Sequence, residues 1–422
     1  MLIKTKDVFR VVLVADCHIG AERSPKWRGL HLSDTKYDQP LADAVAWAER
    51  NDADAFIVAG DLFHDRSPLP FDYMRARDIL PFNTLVVAGN HDIGATGNRD
   101  ALWAQRQVAR GAPNVYRVLS NELKEPGLAN ELRHSLQVLA LPWPRPSDVL
   151  RKLPSDSLEE EILHTRTKIL ESLTDLTKSL SDKAPAILVG HAMVSKQPVS
   201  HNKNAHLIPD PGLMLGKDVV LPLSALEALE GIDGIFLGHV HDPEIFPYIG
   251  STQPTDWGDA GEKSFTVADI PLKNVATSRK ILVHKIPYKT SLKLWDFDVP
   301  WRDRPAPDND DELNRQVFIS HLDEIPTVPD GIRCTVKADP GVKVPVEWIR
   351  ETLGRVGTVH SVNVEYPPSV IARVSPVPGK PLTSFSETAI ANVWLDQAEI
   401  ETGTRRTHIM DEFEAVRKVT TW

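Results

Sequence analysis

The sequence predicts a layered α/β fold with a smaller α+β region behind it. Three observations predict it. Short unbroken apolar runs recur through the first 240 residues, helical patterns alternate with them, and each run closes on a polar block rich in Asp, Asn and His. Strands buried on both faces read as continuous apolar runs, and strands alternating with helices build layered sheets.

The first run is Arg10–Ala15 (RVVLVA). A helical pattern follows at Leu41–Asn51, a second strand at Ala55–Ala59 (AFIVA), a second helix at Phe71–Ile79 and a third strand at Thr84–Ala88 (TLVVA). The clearest helix runs from Ser157 to Leu180, with Leu158, Ile162, Ile169, Leu173, Leu176 and Leu180 on one face. Ser157 and Glu160 stand at capping-box spacing at its start. Ala186–Val189 (AILV) and Gly234–Leu237 (GIFL) complete the strands of this part.

Beyond about residue 245 the texture changes. Gly250–Asp259 (GSTQPTDWGD) reads as a loop, and Ser264–Asp269 and Lys280–Ile286 as strands. The prolines from Pro300 to Pro307 mark a candidate break. Ile332–Ala338, Val346–Leu353 and Val359–Glu365 read as strand, helix, strand. Ser375–Pro381 (SPVPGKP) reads as a stiff linker, and Phe385–Gln397 and Ile409–Val419 as two short helices. The expected division is a main domain over 1–270, a small second domain over 271–374, a linker over 375–383 and a helical tail over 384–422.

Composition sets limits. With 41% apolar and 25% charged residues the chain is globular, which excludes disordered, collagenous and disulfide-framework classes. Its formal charge of −10 opposes nucleic-acid binding through a general basic surface. A nucleic-acid partner would have to be held locally, by metal ions, a basic groove or a second subunit. The two cysteines, Cys17 and Cys334, lie far apart. The first apolar run is too short for a secretory signal and ends at Asp16, and no window approaches about 18 consecutive apolar residues. The expectation is a cytoplasmic protein without a membrane partner.

The polar blocks carry the chemistry. In order they are Asp16-Cys17-His18, Gly60-Asp61, Gly89-Asn90-His91-Asp92, Gly190-His191 and Gly238-His239-Val240-His241. Ligand crevices of open α/β sheets lie beyond the carboxyl ends of the strands. Five such ends would gather these side chains around one point. In extended backbone, Asp16/His18 and His239/His241 would each project to one side. Oxygen and imidazole donors without thiolate suit Mn²⁺, Fe²⁺ or Zn²⁺. Seven candidate ligands are too many for one tetrahedral ion and suit two. Two ions would take the pKa of bound water from about 15.7 to roughly 7 and clamp both oxygens of a phosphoryl transfer.

The ordered set D-x-H, G-D, G-N-H-D, G-H, G-H-x-H resembles the calcineurin-like metallophosphoesterases, which implies a two-layer β-sandwich flanked by helices. Ala15-Asp16-Cys17-His18-Ile19-Gly20, Ala59-Gly60-Asp61-Leu62-Phe63, and Gly250-Ser251 followed by Thr255-Asp256-Trp257-Gly258 are similar to the SbcD nucleases. These include the nuclease subunit of the eukaryotic and archaeal double-strand-break repair complex. The motifs cover about residues 8–270. The second domain and tail match that family's capping region and ATPase-binding helices in position. The resemblance implies a first ion held by Asp16, His18, Asp61 and His241, and a second held by Asp61, Asn90, His191 and His239. It implies that His91 assists the leaving oxygen, that Asp92 orients the His91 imidazole, and that His64 helps position DNA. In the Gly-Ser loop, Gln253-Pro254 replaces an expected basic residue and Asp259 stands for a usual Glu. The implied activity is Mn²⁺-dependent DNA exonuclease with single-strand endonuclease activity. The implied partners are DNA, an SbcC-type coiled-coil ATPase and a second copy of the chain. The alternatives are a phosphodiesterase or phosphatase acting on small nucleotides, and a non-catalytic scaffold.

Overall fold

The computed structural model describes residues 4, 7–27, 30, 32–93, 101–102, 104–105, 107–119, 135–149, 158–195, 218–259, 261–272, 280–302, 310–322, 328–339 and 342–366. The expected linker, the tail helices and the Ser157 cap lie outside the described residues. The chain forms two compact units. The larger comprises 1–296, 325–333 and 350–361, and the smaller 297–324, 334–349 and 362–422.

The larger unit runs β1 (Val8–Val14), α1 (Asp34–Arg50), β2 (Ala55–Ala59), α2 (Pro70–Ile79), β3 (Leu85–Val87), β4 (Gln107–Ala109), β5 (Asn114–Leu119), β6 (Ser135–Leu141), α3 (Pro146–Val149), α4 (Leu158–Thr177), β7 (Ala186–His191), β8 (Met193–Ser195), β9 (Val220–Pro222), α5 (Leu223–Glu227), β10 (Gly234–Gly238), β11 (Ser264–Pro271) and β12 (Leu282–Pro287). One sheet has the order β12-β11-β1-β2-β3-β4 and a second the order β10-β7-β6-β5. In the first, β1 to β4 are parallel and β11 and β12 antiparallel. In the second, β10, β7 and β6 are parallel and β5 antiparallel.

Strand alternation explains the layers. On β1, Val11 and Leu13 join a core shared with Ile57, Val87, Val138, Ile187 and Val189, where the two sheets face each other. Val12 and Val14 point the other way, into a second core with Leu41 and Ala44 of α1 and Ala76 of α2. Behind the other sheet, Leu139, Leu188 and Leu237 pack with Ile169 and Leu173 of α4. The result is helix, sheet, sheet, helix, so strands of both sheets are apolar on both faces. This is the mixed α/β architecture the sequence predicts. Register places Leu13 beside Ile57 and Thr266.

Buried charge is paired. Arg10, fully buried on β1, donates twice to Asp269 at 2.7 Å and once to the Asn51 carbonyl at 3.0 Å. On α1, Pro40 has no N–H to offer the Lys36 carbonyl four residues earlier. The buried Gln253 side chain donates to Lys36 O at 3.3 Å and Tyr37 O at 2.8 Å instead. Gln253, which stands where a basic residue was expected, is therefore an interior brace.

The last elements are β13 (Leu294–Trp301), α6 (Asp310–Leu322), β14 (Gly331–Ala338), α7 (Val346–Gly354) and β15 (Val359–Glu365). The strands form one sheet in the order β13-β14-β15. β13 runs through Pro300, where a break was expected. It is an edge strand, and an edge tolerates a residue without N–H. Within the smaller unit, buried Phe318 of α6 packs 5.6 Å from Trp348. Among the described residues no helix is long and apolar enough to cross a membrane.

Candidate metal centre

The polar blocks follow the carboxyl ends of β1, β2, β3, β7 and β10, and the turns after these strands bend their side chains together. Asp16 (φ 49°), His18 (φ 47°), Asp61 (φ 50°) and His239 (φ 96°) all lie in the left-handed region. The extended backbone expected for Asp16/His18 is thus replaced by a tight turn. Backbone bonds from Asp16 N to Gly60 O and from His18 N to Asp61 O, both 3.0 Å, lock it to the loop after β2. Gly60 and Gly89 are dictated by contact. A Cβ on Gly60 would lie 2.0 Å from His191 Nδ1, and one on Gly89 would lie 2.1 Å from Asp61 Oδ1.

All seven candidate ligands come together. Asp61 Oδ2 lies 3.9 Å from His18 Nε2 and 3.4 Å from His191 Nε2. Asp16 Oδ1 lies 3.7 Å from His241 Nε2 and 4.0 Å from His191 Nε2. Asn90 Oδ1 lies 3.0 Å from His191 Nε2 and 3.1 Å from His239 Nδ1. Two donors of one ion, each about 2.0–2.2 Å from it, stand roughly 3–4 Å apart.

The donor chemistry fits cations. His18 is buried, and neither of its ring nitrogens has a hydrogen-bond partner. His191 Nδ1 donates to the Ala59 carbonyl at 2.9 Å, so in the neutral ring Nε2 is an acceptor. It faces two more acceptors, Asn90 Oδ1 and Asp61 Oδ2, and needs positive charge between them. Burial opposes charge on His191, but the Asp61 carboxylate outweighs it and lifts its pKa to about 9. Burial likewise opposes charge on Asp61, but His191, His18 and His91 hold it well below the carboxylate range. Burial raises Asp16 despite His191 and His241. Burial depresses His18, and it takes His239 to about 3 with His191 adding to the effect. Cys17 contributes no donor, because it packs in the core under α1.

His91 stands beside this cluster, its ring 4.8 Å from that of His18. Its backbone N–H donates to Asp61 Oδ1 at 2.8 Å, and its Nδ1 donates to the His64 carbonyl at 2.6 Å. The His64 ring stacks on it at 5.5 Å. The orienting partner of His91 is therefore the carbonyl of His64, which corrects the role given to Asp92. The Asp92 carboxylate lies inside the loop, accepting from the backbone N–H groups of Gly89 (2.9 Å), Phe63 (3.1 Å) and Leu62 (3.3 Å). Burial, with Asp61 adding to it, pushes Asp92 up to about 7.

One residue and one set of contacts escaped sequence reasoning. Trp143, two residues beyond β6, packs its indole 4.7 Å from His239 and 5.9 Å from His191. Its signal was a strand followed by a block without Asp or His. Asp259, Thr255 and Lys263 surround His241, with Thr255 Oγ1 at 2.9 Å and Asp259 Oδ2 at 3.2 Å from its Nδ1.

A family model described as calcineurin-like phosphoesterase matches residues 9–243. No curated protein matches the chain. Solved structures to which the chain is similar include a putative 5′-nucleotidase from Staphylococcus aureus, aligned over 73% of this chain at 15% identity and a TM-score of 0.38. The chain spans 57% of that protein. A dimetal phosphatase from Danio rerio aligns over 67% of this chain and 100% of its own, at 15% identity and a TM-score of 0.37. The phosphoesterase YfkN from Bacillus subtilis covers 75% and 98%, at 12% identity and a TM-score of 0.36.

Proposed function

The chain belongs to the calcineurin-like phosphoesterases, and within that family we propose that it is a DNA nuclease, the cutting subunit of an SbcCD-like complex that processes DNA ends. The coarser chemistry is the family's own, metal-dependent phosphoester hydrolysis at a dimetal centre, and the Asp and His cluster offers the groups to hold it. Asp16, His18, Asp61 and His241 would hold one ion, and Asp61, Asn90, His191 and His239 the other. Bound there, two ions, Mn²⁺ in this reading with Fe²⁺ or Zn²⁺ as alternatives, would supply a hydroxide at neutral pH and neutralise the phosphate.

The observation that carries the proposal is the His64/His91 pair. With its Nδ1–H held by the His64 carbonyl, His91 as imidazolium would deliver the proton of its free Nε2 to the leaving oxygen and be left as the neutral Nδ1–H ring. The His64 imidazole, stacked beside it, positions the strand end for stepwise cutting. Because the chain carries −10, DNA would be held locally, by the ions, a basic groove or a second subunit, and not by a general basic surface.

The test is purified protein with Mn²⁺, end-labelled double- and single-stranded DNA, and bis-p-nitrophenyl phosphate. Shortening of labelled DNA is expected. Cleavage of the small ester alone would favour a small-nucleotide phosphodiesterase. Silence on all substrates would favour a scaffold. The proposal includes self-association and a coiled-coil ATPase bound by the segment 384–422. Truncation after Gly379 should leave cutting of short DNA nearly intact and abolish co-purification with the ATPase. Full-affinity ATPase binding by the truncated chain would move the partner site elsewhere.

A further inference from the structure

His241 is fastened at both its backbone and its ring. Its carbonyl accepts from the Ser251 N–H at 3.2 Å and from Lys263 Nζ at 3.1 Å. Its Nδ1 faces Asp259 Oδ2 at 3.2 Å. A carboxylate only accepts, so a hydrogen sits on Nδ1, and in the neutral ring the Nε2 lone pair is left toward Asp16 Oδ1, 3.7 Å away. Thr255 Oγ1, 2.9 Å from the same Nδ1, shares that hydrogen.

Asp259 is itself held. Its Oδ2 accepts from the Thr255 backbone N–H at 3.1 Å, and its Oδ1 pairs with the Lys263 ammonium. The Lys263 side chain is only 2% exposed, and its ammonium is split between Asp259 and the His241 carbonyl. The loop in turn is pinned from below. Ser251 Oγ donates to Gln253 O at 2.8 Å, and Gln253 Oε1 accepts from Leu292 N at 2.7 Å. Nothing in this set of bonds is directed at a substrate.

We propose that the loop Gly250–Asp259, together with Lys263, is a clamp for one metal ligand and not a DNA contact, with Asp259 as the positioning residue that fixes the tautomer and direction of the His241 imidazole. Outer partners of ligating histidines raise ligand basicity, and their loss typically costs about 10- to 100-fold in metal affinity. Lys263 offsets the charge of a carboxylate kept beside the acidic cluster of Asp16 and Asp61. Since Asp61 and not His241 is shared between the ions, the clamp acts on one of the two.

This rests on the two-ion reading, and the experiment separates the two. Calorimetric titration of the full chain with Mn²⁺ should show two ions for the wild type. Asp259→Ala should weaken one of them about 10- to 100-fold and leave the other unchanged. Asp259→Glu should restore most of the loss, because it returns the carboxylate. Asp259→Ala/Lys263→Met removes the stranded ammonium as well. It should keep the metal-free melting midpoint near wild type while retaining the one-ion defect. Two ions bound at wild-type affinity by Asp259→Ala would overturn the clamp and leave the two-ion centre standing. Equal loss of both ions with a lowered metal-free midpoint in the double variant would make Asp259 structural and also overturn it. A wild type that fails to bind two ions would overturn both readings.

Discussion

Asp61 sits in left-handed backbone at φ 50°, with its carboxylate between His18 and His191 and its Oδ1 accepting from the His91 N–H. Left-handed backbone at a non-glycine residue costs of order 1–3 kcal/mol. The bonds binding the Asp16–His18 turn to the loop after β2 hold it in place. Because Asp61 faces ligands of both proposed ions, Asp61→Ala should abolish binding of both, read by Mn²⁺ calorimetry. Two ions still bound at wild-type affinity would refute the bridging role. His91 lies beside the proposed ligands but is not assigned as one, so His91→Asn should keep both ions and DNA binding while cutting turnover about 10²- to 10⁴-fold. Loss of the ions in that variant would make His91 a ligand. These ligand residues were legible because each block closes a buried strand. The groups that set their tautomers were not. The Ala59 and His64 carbonyls are backbone, which no motif displays, and Asp259 lies 18 residues from His241.

Among the elements, α2 reaches the site through charge. Arg75 donates twice to Asp38 of α1 at 2.6 Å and once to Glu22 at 2.8 Å, and Arg23 donates to Asp72 at 2.7 Å. These bonds join α1 and α2 to the turn just after His18. The side chains of Arg75 and Asp38 are 7% and 8% exposed, so removing Arg75 takes the compensating charge away from buried carboxylates. Breaking a buried pair costs about 3–5 kcal/mol, so Arg75→Met should lower the urea stability of the larger unit by that order, and adding Asp38→Leu should recover part. A loss under about 1 kcal/mol would mean that water screens the network. The same interior polarity explains what sequence missed among the strands. β6 is fully buried, yet Gln137 interrupts its apolar run. Its side chain is accommodated because it donates to Ser181 O and Ala184 O and accepts from Ser181 N. β13 was hidden by Asp296, Asp298 and Pro300, which an edge strand tolerates. The apolar runs Val11–Val14, Ala55–Ala59, Leu85–Val87, Ala186–Val189 and Ile235–Leu237 carried no such interruption, and their strands were read from sequence.

At the scale of the whole molecule, the candidate metal centre lies within the larger unit, since residues 16 to 263 supply every candidate ligand and, among the described residues, the partners named above. Ion binding should therefore stabilise that unit specifically. A ligand that binds only the folded state adds about 2.7 kcal/mol at a concentration a hundred times its dissociation constant. The metal-free centre also gathers buried acidic groups, Asp16, Asp61 and Asp92, whose mutual repulsion the ions would relieve. A chain with two compact units need not unfold in one step. Scanning calorimetry of the full chain should resolve two transitions in EDTA. Added Mn²⁺ should move one of them upward by several degrees and leave the other in place. The moving transition belongs to the larger unit, and Asp61→Ala should abolish its movement without shifting the stationary one. A single transition moving as a whole would mean that the two units unfold as one cooperative body. Two transitions both indifferent to Mn²⁺ would remove the metal centre from the account of this fold.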